Sequence, residues 1–188
     1  EIIVCEGYLD VIMLHQAGFN SAVATLGTAL TKEHLPLLRR GEPRIILSYD
    51  GDKAGQNAAF KASVMLSQNG FDGGVVIFEN GADPADMVKD RKIKELEDLF
   101  SNPTPFANFA ISYIVSSYNI SNPVEKQKAL SEANEYLNSL SQLYQEEYKR
   151  FLAQKLNIKE SLIKTSNNIY RKNSVELSKV DIAELCII

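Results

Sequence analysis

The acidic residues Glu6, Asp50, Asp52, Asp83 and Asp86 all stand at or just past the ends of apolar runs. Glu6 closes IIVC, Asp50 and Asp52 follow IILSY, and Asp83 and Asp86 come shortly after VVIF. Lys53 is the basic residue among them. Carboxylates gathered without balancing cations repel each other and raise their own pKa values unless a hard cation neutralises them. Mg²⁺ does this with a few carboxylates and keeps several waters for substrate phosphates. The set therefore reads as one wall of a divalent-metal site, with Lys53 either contacting a phosphate or pairing with a neighbouring carboxylate. Asp10 lies one helical turn after Glu6, so it can hold the metal directly or through water, or simply occupy a polar helix face. Taken alone, each piece has a plainer use: a helix cap for a single strand-end acid, a turn for Asp50-Gly51-Asp52. Their recurrence on successive strand ends favours the metal.

Such convergence needs strands whose carboxyl ends lie on one edge. Four short Ile- and Val-rich runs, Ile2–Cys5, Ala22–Thr25, Arg44–Tyr49 and Gly74–Phe78, alternate with longer amphipathic stretches, which predicts a parallel sheet. In an open parallel sheet, functional groups collect at the carboxyl ends. Helices are expected over Tyr8–Ala17, Lys32–Arg40 and Lys53–Asn69, each followed by Gly in the position of a left-handed C-terminal residue. Pro36 implies a kink or a late start in the second. A short helical pattern runs from Asp83-Pro84 to Lys89, and a charged one covers Lys92–Phe100. The run SNPTP, Ser101 to Pro105, reads as a boundary. Beyond it, Phe106–Tyr118, Val124–Leu140 and Leu143–Asn157 carry apolar residues at three- and four-residue spacing, the pattern of a small helical bundle. From Asn167 the polarity rises as in a linker, before DIAELCII begins another helix.

The chain has 188 residues, 45% of them hydrophobic, enough for a substantial core. Its formal charge of −4 argues against a broad basic face gripping nucleic acid, so other regions must help hold any such partner. No apolar run approaches the roughly 20 residues of a membrane helix, and no charged-then-apolar leader opens the chain. A cytoplasmic protein with no membrane contact is expected. Cys5 and Cys186 lack metal spacing, and Cys5 reads as a buried thiol. His15 and His34 have no partner at ligand spacing and read as surface or boundary histidines. Both ends of the chain look cut, which predicts a fragment.

EGYLDV at Glu6–Val11, VATLGTALT at Val23–Thr31, YDGDKAG at Tyr49–Gly55 and ADPADMV at Ala82–Val88 together resemble the Toprim domain of bacterial replicative primases. The motifs stand in the family's order, across about residues 1–100. The following helical segment, 105–166, resembles the bundle behind that domain, and 167–188 the linker and start of the C-terminal helicase-binding region. The resemblance implies an α/β Toprim domain with a central, mainly parallel four-stranded sheet, then a small all-helical bundle. It implies a DNA-directed RNA polymerase making short RNA primers on single-stranded DNA from ribonucleoside triphosphates, with Mg²⁺ or Mn²⁺ on the acidic rim. Glu6 matches the Toprim glutamate, Asp10 the aspartate after it, Asp50 and Asp52 the paired aspartates, and Asp83 the first carboxylate of the family's Asp-Pro-Asp. Glu6, Asp50 and Asp52 are thus the expected catalytic residues, and those three with Asp10 and Asp83 the metal ligands. The sequence departs from the pattern at Ala85, where the second aspartate usually sits; Asp86, one place later, could substitute only through a shifted loop. The zinc module and basic groove of that family precede this segment, so the fragment alone should be inactive or weakly active. The replicative helicase would bind beyond the C-terminal end, and the protein would act in the bacterial cytoplasm at the nucleoid-associated replication fork. Rival readings are a Toprim topoisomerase, nuclease or recombination-repair enzyme, a haloacid-dehalogenase-like phosphatase with its Asp-x-Asp, and a helicase-docking scaffold. A topoisomerase would need a nucleophilic Tyr on another domain; Tyr8 and Tyr49 read as packed residues. Against the phosphatase stand Lys53 and the preceding Glu6.

Overall fold

The computed structural model describes residues 1–26, 29–78 and 83–165. Apolar residues alternate across the strands, and that alternation builds two cores. Strands β1 (Ile2–Cys5), β2 (Ala22–Ala24), β3 (Ile45–Tyr49) and β4 (Gly73–Ile77) pair in the order β2-β1-β3-β4, all parallel. Val4, Ile45, Leu47, Tyr49 and Val75 point to one face, where α3 (Lys53–Gln68) covers them with Ala59, Ala62 and Leu66. Ile3, Cys5, Ile46 and Val76 point to the other, against α1 (Tyr8–Gln16), α4 (Pro84–Lys89) and α5 (Ile93–Ser101) through Leu14, Met87, Leu96 and Phe100. Helices on both faces bury most of β1, β3 and β4, and this is why these strands read as near-continuous apolar runs.

One expectation is revised. The sheet has a fifth strand, β5 (Thr104–Pro105), antiparallel to β4 with Val75 opposite Thr104. It lies in the run SNPTP, where the sequence suggests only a boundary. A two-residue strand has no periodicity to detect, and Pro105 lacks the N–H that a central position would require, so it sits at the sheet's edge. The second helix starts late, one of the two outcomes that Pro36 implies. A 3₁₀ turn over Lys32–His34 precedes a four-residue α2 (Leu35–Leu38), and Pro36 occupies its first turn, where its missing N–H costs nothing. A capping box between Thr31 and His34 opens the 3₁₀ turn and gives His34 a structural use.

Helices α6 (Phe106–Ser116), α7 (Pro123–Asn138) and α8 (Gln142–Leu156) surround a third core built on Ile111, Ile114, Leu137, Leu140, Leu152 and Leu156. α6 serves two cores, because Phe106 belongs to the sheet side and Ala110, Ile111 and Ile114 to the bundle. α3 reaches the bundle as well: Phe60 stacks on Tyr113 with ring centroids 4.6 Å apart, and Ser67 Oγ lies 2.8 Å from Tyr136 Oη in a buried hydrogen bond. Burial pushes the Tyr136 phenol up to about 12 despite the Ser67 contact. Among the described residues no helix is long and apolar enough to cross a membrane. The expected linker and following helix, 167–188, lie outside the described residues.

Candidate active site

Parallel register brings the acidic residues to one edge. Cys5 pairs with Ser48 and Tyr49 with Ile77, so the residues just past β1, β3 and β4 leave the sheet side by side. Glu6 follows β1, Asp50 and Asp52 follow β3, and Asp83 lies beyond β4, where it caps α4. Asp10, in the first turn of α1, is 9% exposed, and α1 packs against α4. The sequence gives no direct sign of that burial.

Burial, and after it mutual charge repulsion, sets the electrostatics of these groups. Burial first, then the charge of Asp50, pushes Glu6 above the usual carboxylate range; Asp52 and Asp10 add to this, and a backbone hydrogen bond at Asp50 opposes it. Asp10 is raised by burial, then by Asp83 and Asp50, against hydrogen bonds from the backbone at Gly7 and Ala85. Asp50 is raised by burial, Asp83 and Asp52. Oε1 of Glu6 is buried and accepts no hydrogen bond. A buried carboxylate oxygen without a partner beside like charges is costly unless a cation reaches it. A donor set of this composition fits a hard divalent cation such as Mg²⁺ or Mn²⁺.

Two glycines make the packing possible. A Cβ on Gly55, in the first turn of α3, would lie 2.9 Å from Glu6 Oε1 and 2.4 Å from the carbonyl oxygen of Asp50. A Cβ on Gly51 would lie 1.9 Å from the carbonyl oxygen of Phe78. Asp52 is the N-cap of α3, its Oδ1 accepting from the Gly55 N–H at 2.7 Å, so the capping role and a rim position coincide in one residue. Asp83 likewise accepts from the Asp86 N–H at 2.6 Å. The Asp86 carboxylate pairs with Lys89 at 3.0 Å and is about half exposed. Ala85 is buried at 5%, and its backbone serves Asp10. Lys53 is exposed and makes no ion pair among the described residues.

Among the described residues, no three His, Cys, Asp or Glu side chains form a group able to hold an ion by themselves. Mg²⁺ is commonly held by one or two carboxylates with waters and substrate phosphates completing its shell, so a rim of this openness suits it. A cleft of about 540 Å³ opens at the rim, lined by Glu6, Gly7, Tyr8, Asp10, Leu26 and Asp50. Tyr49 is 2% exposed, as its core pattern suggests, but Tyr8 is 53% exposed and lines the cleft. Tyr8 opens a helix whose apolar residues do not keep to one face, and for that reason the pattern misassigns it. Leu26 also escapes the sequence reading, because the loop position it occupies carries no chemical signal.

Comparison with known proteins agrees with this architecture. Residues 3–88 match the Toprim-like family, and residues 107–161 match the DnaB-helicase binding domain of primase. The second match lies on the bundle, ahead of the region where the helicase contact was expected. A DNA primase of Helicobacter pylori strain J99 is 54% identical over 153 residues, covering 81% of this chain and 27% of that protein. A DNA primase of Campylobacter jejuni is 38% identical over 198 residues, covering 100% of this chain and 33% of the relative. The chain thus spans about a quarter to a third of these relatives. The E. coli primase catalytic core superposes with a TM-score of 0.73 at 28% identity, over 84% of this chain and 52% of that one. A DnaG primase catalytic domain bound to ssDNA gives 0.73 at 29% identity, over 86% and 52%.

Proposed function

The chain belongs to the DNA primase family, carrying its Toprim-like domain and the helical module behind it, and on that premise we propose that it supplies the metal-binding part of a primer-synthesising catalytic core. The reaction is the metal-dependent synthesis of short RNA primers on single-stranded DNA from ribonucleoside triphosphates. The buried, unpartnered Oε1 of Glu6 among mutually repelling carboxylates carries this reading.

Glu6, Asp10, Asp50 and Asp83 are the carboxylates from which one or two would ligate a Mg²⁺ or Mn²⁺ ion, with waters and substrate phosphates completing its shell, and Asp52 would add the oxygen that its cap does not use. When bound, the cation supplies Lewis-acid polarisation of the α-phosphate and neutralises the departing pyrophosphate. The chain's own residues orient and exclude. α3 anchors Asp52 at its N-terminus, Gly55 lets Glu6 reach inward, and burial keeps Asp10 away from bulk water. Glu6, raised first by burial and then by the charge of Asp50, would meet the cation through Oε1 and so act on the reacting phosphate. Lys53, exposed at the start of α3 and free of ion pairs among the described residues, is the candidate phosphate contact. Asp86 is engaged by Lys89 and is the weaker ligand candidate.

Residues 1–100 form the catalytic domain in this proposal, and 105–166 a bundle through which the replicative helicase binds, in keeping with the match over 107–161. The place of action is the bacterial cytoplasm at the replication fork. Primer synthesis by the full-length protein on a single-stranded template tests the reading. Asp50→Ala and Glu6→Gln should each abolish synthesis while leaving the circular dichroism spectrum unchanged. Wild-type synthesis by Asp50→Ala would sink the proposal.

A further inference from the structure

We propose that Gln56 is a positioning residue that fixes the Asp50-Gly51-Asp52 loop in its metal-binding geometry, an inference that rests on the reading of the rim given above. Gln56 lies in the first turns of α3, one residue past Gly55, and is half-buried. Its side-chain Nε2 donates to the Gly51 carbonyl oxygen at 2.7 Å, and its backbone N–H donates to the Asp52 carbonyl oxygen at 3.0 Å. One residue therefore grips successive carbonyls of the loop that carries both aspartates.

The loop needs such a grip for two reasons. Gly51 must lack a side chain, since a Cβ there would lie 1.9 Å from the Phe78 carbonyl oxygen, and glycine is the residue whose peptide planes turn most freely. A reorientation at Gly51 would carry Asp50 and Asp52 with it. The second reason is electrostatic. The Gly51 carbonyl is the negative end of a dipole in the loop between Asp50 and Asp52, and its oxygen is the one the Gln56 amide reaches. An amide donor on that oxygen offsets part of the repulsion without adding a cation that would compete with the metal. A lysine or arginine in this place would stabilise the loop but compete for the same carboxylates. A neutral donor holds the loop and leaves the charge for the ligand.

Gln56→Met in the full-length protein keeps the length and volume of the side chain and removes the donor. Mn²⁺ affinity, read from free Mn²⁺ by electron paramagnetic resonance, should fall about 10-fold, the scale of losing an outer partner of a ligating group. The metal-free melting temperature should fall by no more than about 6 °C, the effect of one ordinary hydrogen bond in a chain of this size. In steady state kcat should fall while the KM for template stays constant, a split that a merely structural loss would not produce. Gln56→Asn, which keeps the amide but falls one methylene short of Gly51, gives the same readout should the Met variant fail to fold. Wild-type Mn²⁺ affinity in both variants, with Asp50→Ala abolishing binding, overturns the role of Gln56 and leaves the metal site standing. Wild-type affinity in Asp50→Ala as well removes the site, and this inference with it.

Discussion

Gly51→Ala places the smallest possible side chain at the tightest point of the rim. The new Cβ would stand 1.9 Å from the Phe78 carbonyl oxygen, where ordinary contact begins at 3.4 Å. Both sides of that contact are backbone, so no flexible side chain can give way, and the loop after β3 must move off the end of β4 by about 1.5 Å, at the ~1–3 kcal/mol typical of overpacking. For a chain of this size that lowers the melting temperature by roughly 2–12 °C. The functional loss should be larger than the structural one. A displacement of that order in a metal-bearing loop costs about 10- to 100-fold in metal affinity. At a Mn²⁺ concentration 100 times the wild-type Kd, the stabilisation by metal should then drop from about 2.7 kcal/mol to between about 0.4 and 1.4 kcal/mol. Thermal melts with and without Mn²⁺ measure both quantities in one experiment. Gly18→Ala is the control: its φ of +98° strains an alanine, yet nothing lies within 4 Å of the added Cβ, and it stands at the far end of α1 from the rim. It should lose about 1–2 kcal/mol of stability and none of the Mn²⁺ response. If Gly51→Ala keeps the full Mn²⁺ increment, the loop geometry described here does not govern the site.

Glu6→Gln removes one of the repelling charges, so the metal-free protein should melt higher than wild type at neutral pH and respond less to Mn²⁺; a lower metal-free melting temperature would contradict the repulsion argument. The raised positions of Glu6, Asp10 and Asp50 set a pH dependence. Between the ordinary carboxylate value near about 4 and the raised folded values, the folded state binds more protons than the unfolded state, so metal-free stability falls as pH rises through that window. Denaturant melts across it should show the fall, and saturating Mg²⁺ should flatten or reverse it; a metal-free rise in stability would refute the sign. Tyr136→Phe should cost about 0.5–1.5 kcal/mol in urea melts, because Ser67 Oγ keeps its bonds to the carbonyls of Ser63 and Val64. Ser67→Ala should cost more, up to about 3 kcal/mol, since it leaves the buried Tyr136 hydroxyl without Ser67; the reverse order would mean that Tyr136 finds another donor or acceptor. The 188-residue chain alone, with its charge of −4, should bind single-stranded DNA weakly and make few primers, measured against the full-length protein over a salt series.

The parallel sheet was legible because each strand is buried on both faces and must be apolar throughout, and a run such as Ile45–Tyr49 has no amphipathic alternative. The acidic set was legible for a related reason. Glu6 and Asp50, directly after such runs, are forced to one edge by parallel register, whereas Asp83 stands further on as the cap of α4. The unread features depend on contacts between segments far apart in sequence. β5 exists only because β4 offers it an edge, and Asp10 is buried only because α4 packs on α1. Gln56 looks like any polar residue of a helix's first turns until its amide is seen on the Gly51 carbonyl.

The departure at Ala85 shows the same division between what composition carries and what packing decides. By spacing, Asp86 looks like an acid displaced by one position from where a ligand is wanted. In the fold, position 85 is taken up by burial at 5% and by a backbone hydrogen bond to Asp10, whereas Asp86 faces Lys89 one turn along α4. An acid moved by one residue along a helix turns through about 100°. A shift that looks minor in sequence therefore changes which neighbour the side chain meets. The charge that the family pattern places at 85 is absent from the rim, and Asp10, supported by the Ala85 backbone and raised by Asp83 and Asp50, is the buried carboxylate beside that position. The rim thus retains a closely coupled acidic group there through a residue on a different helix, which no count of acids along the Asp83–Asp86 segment would reveal.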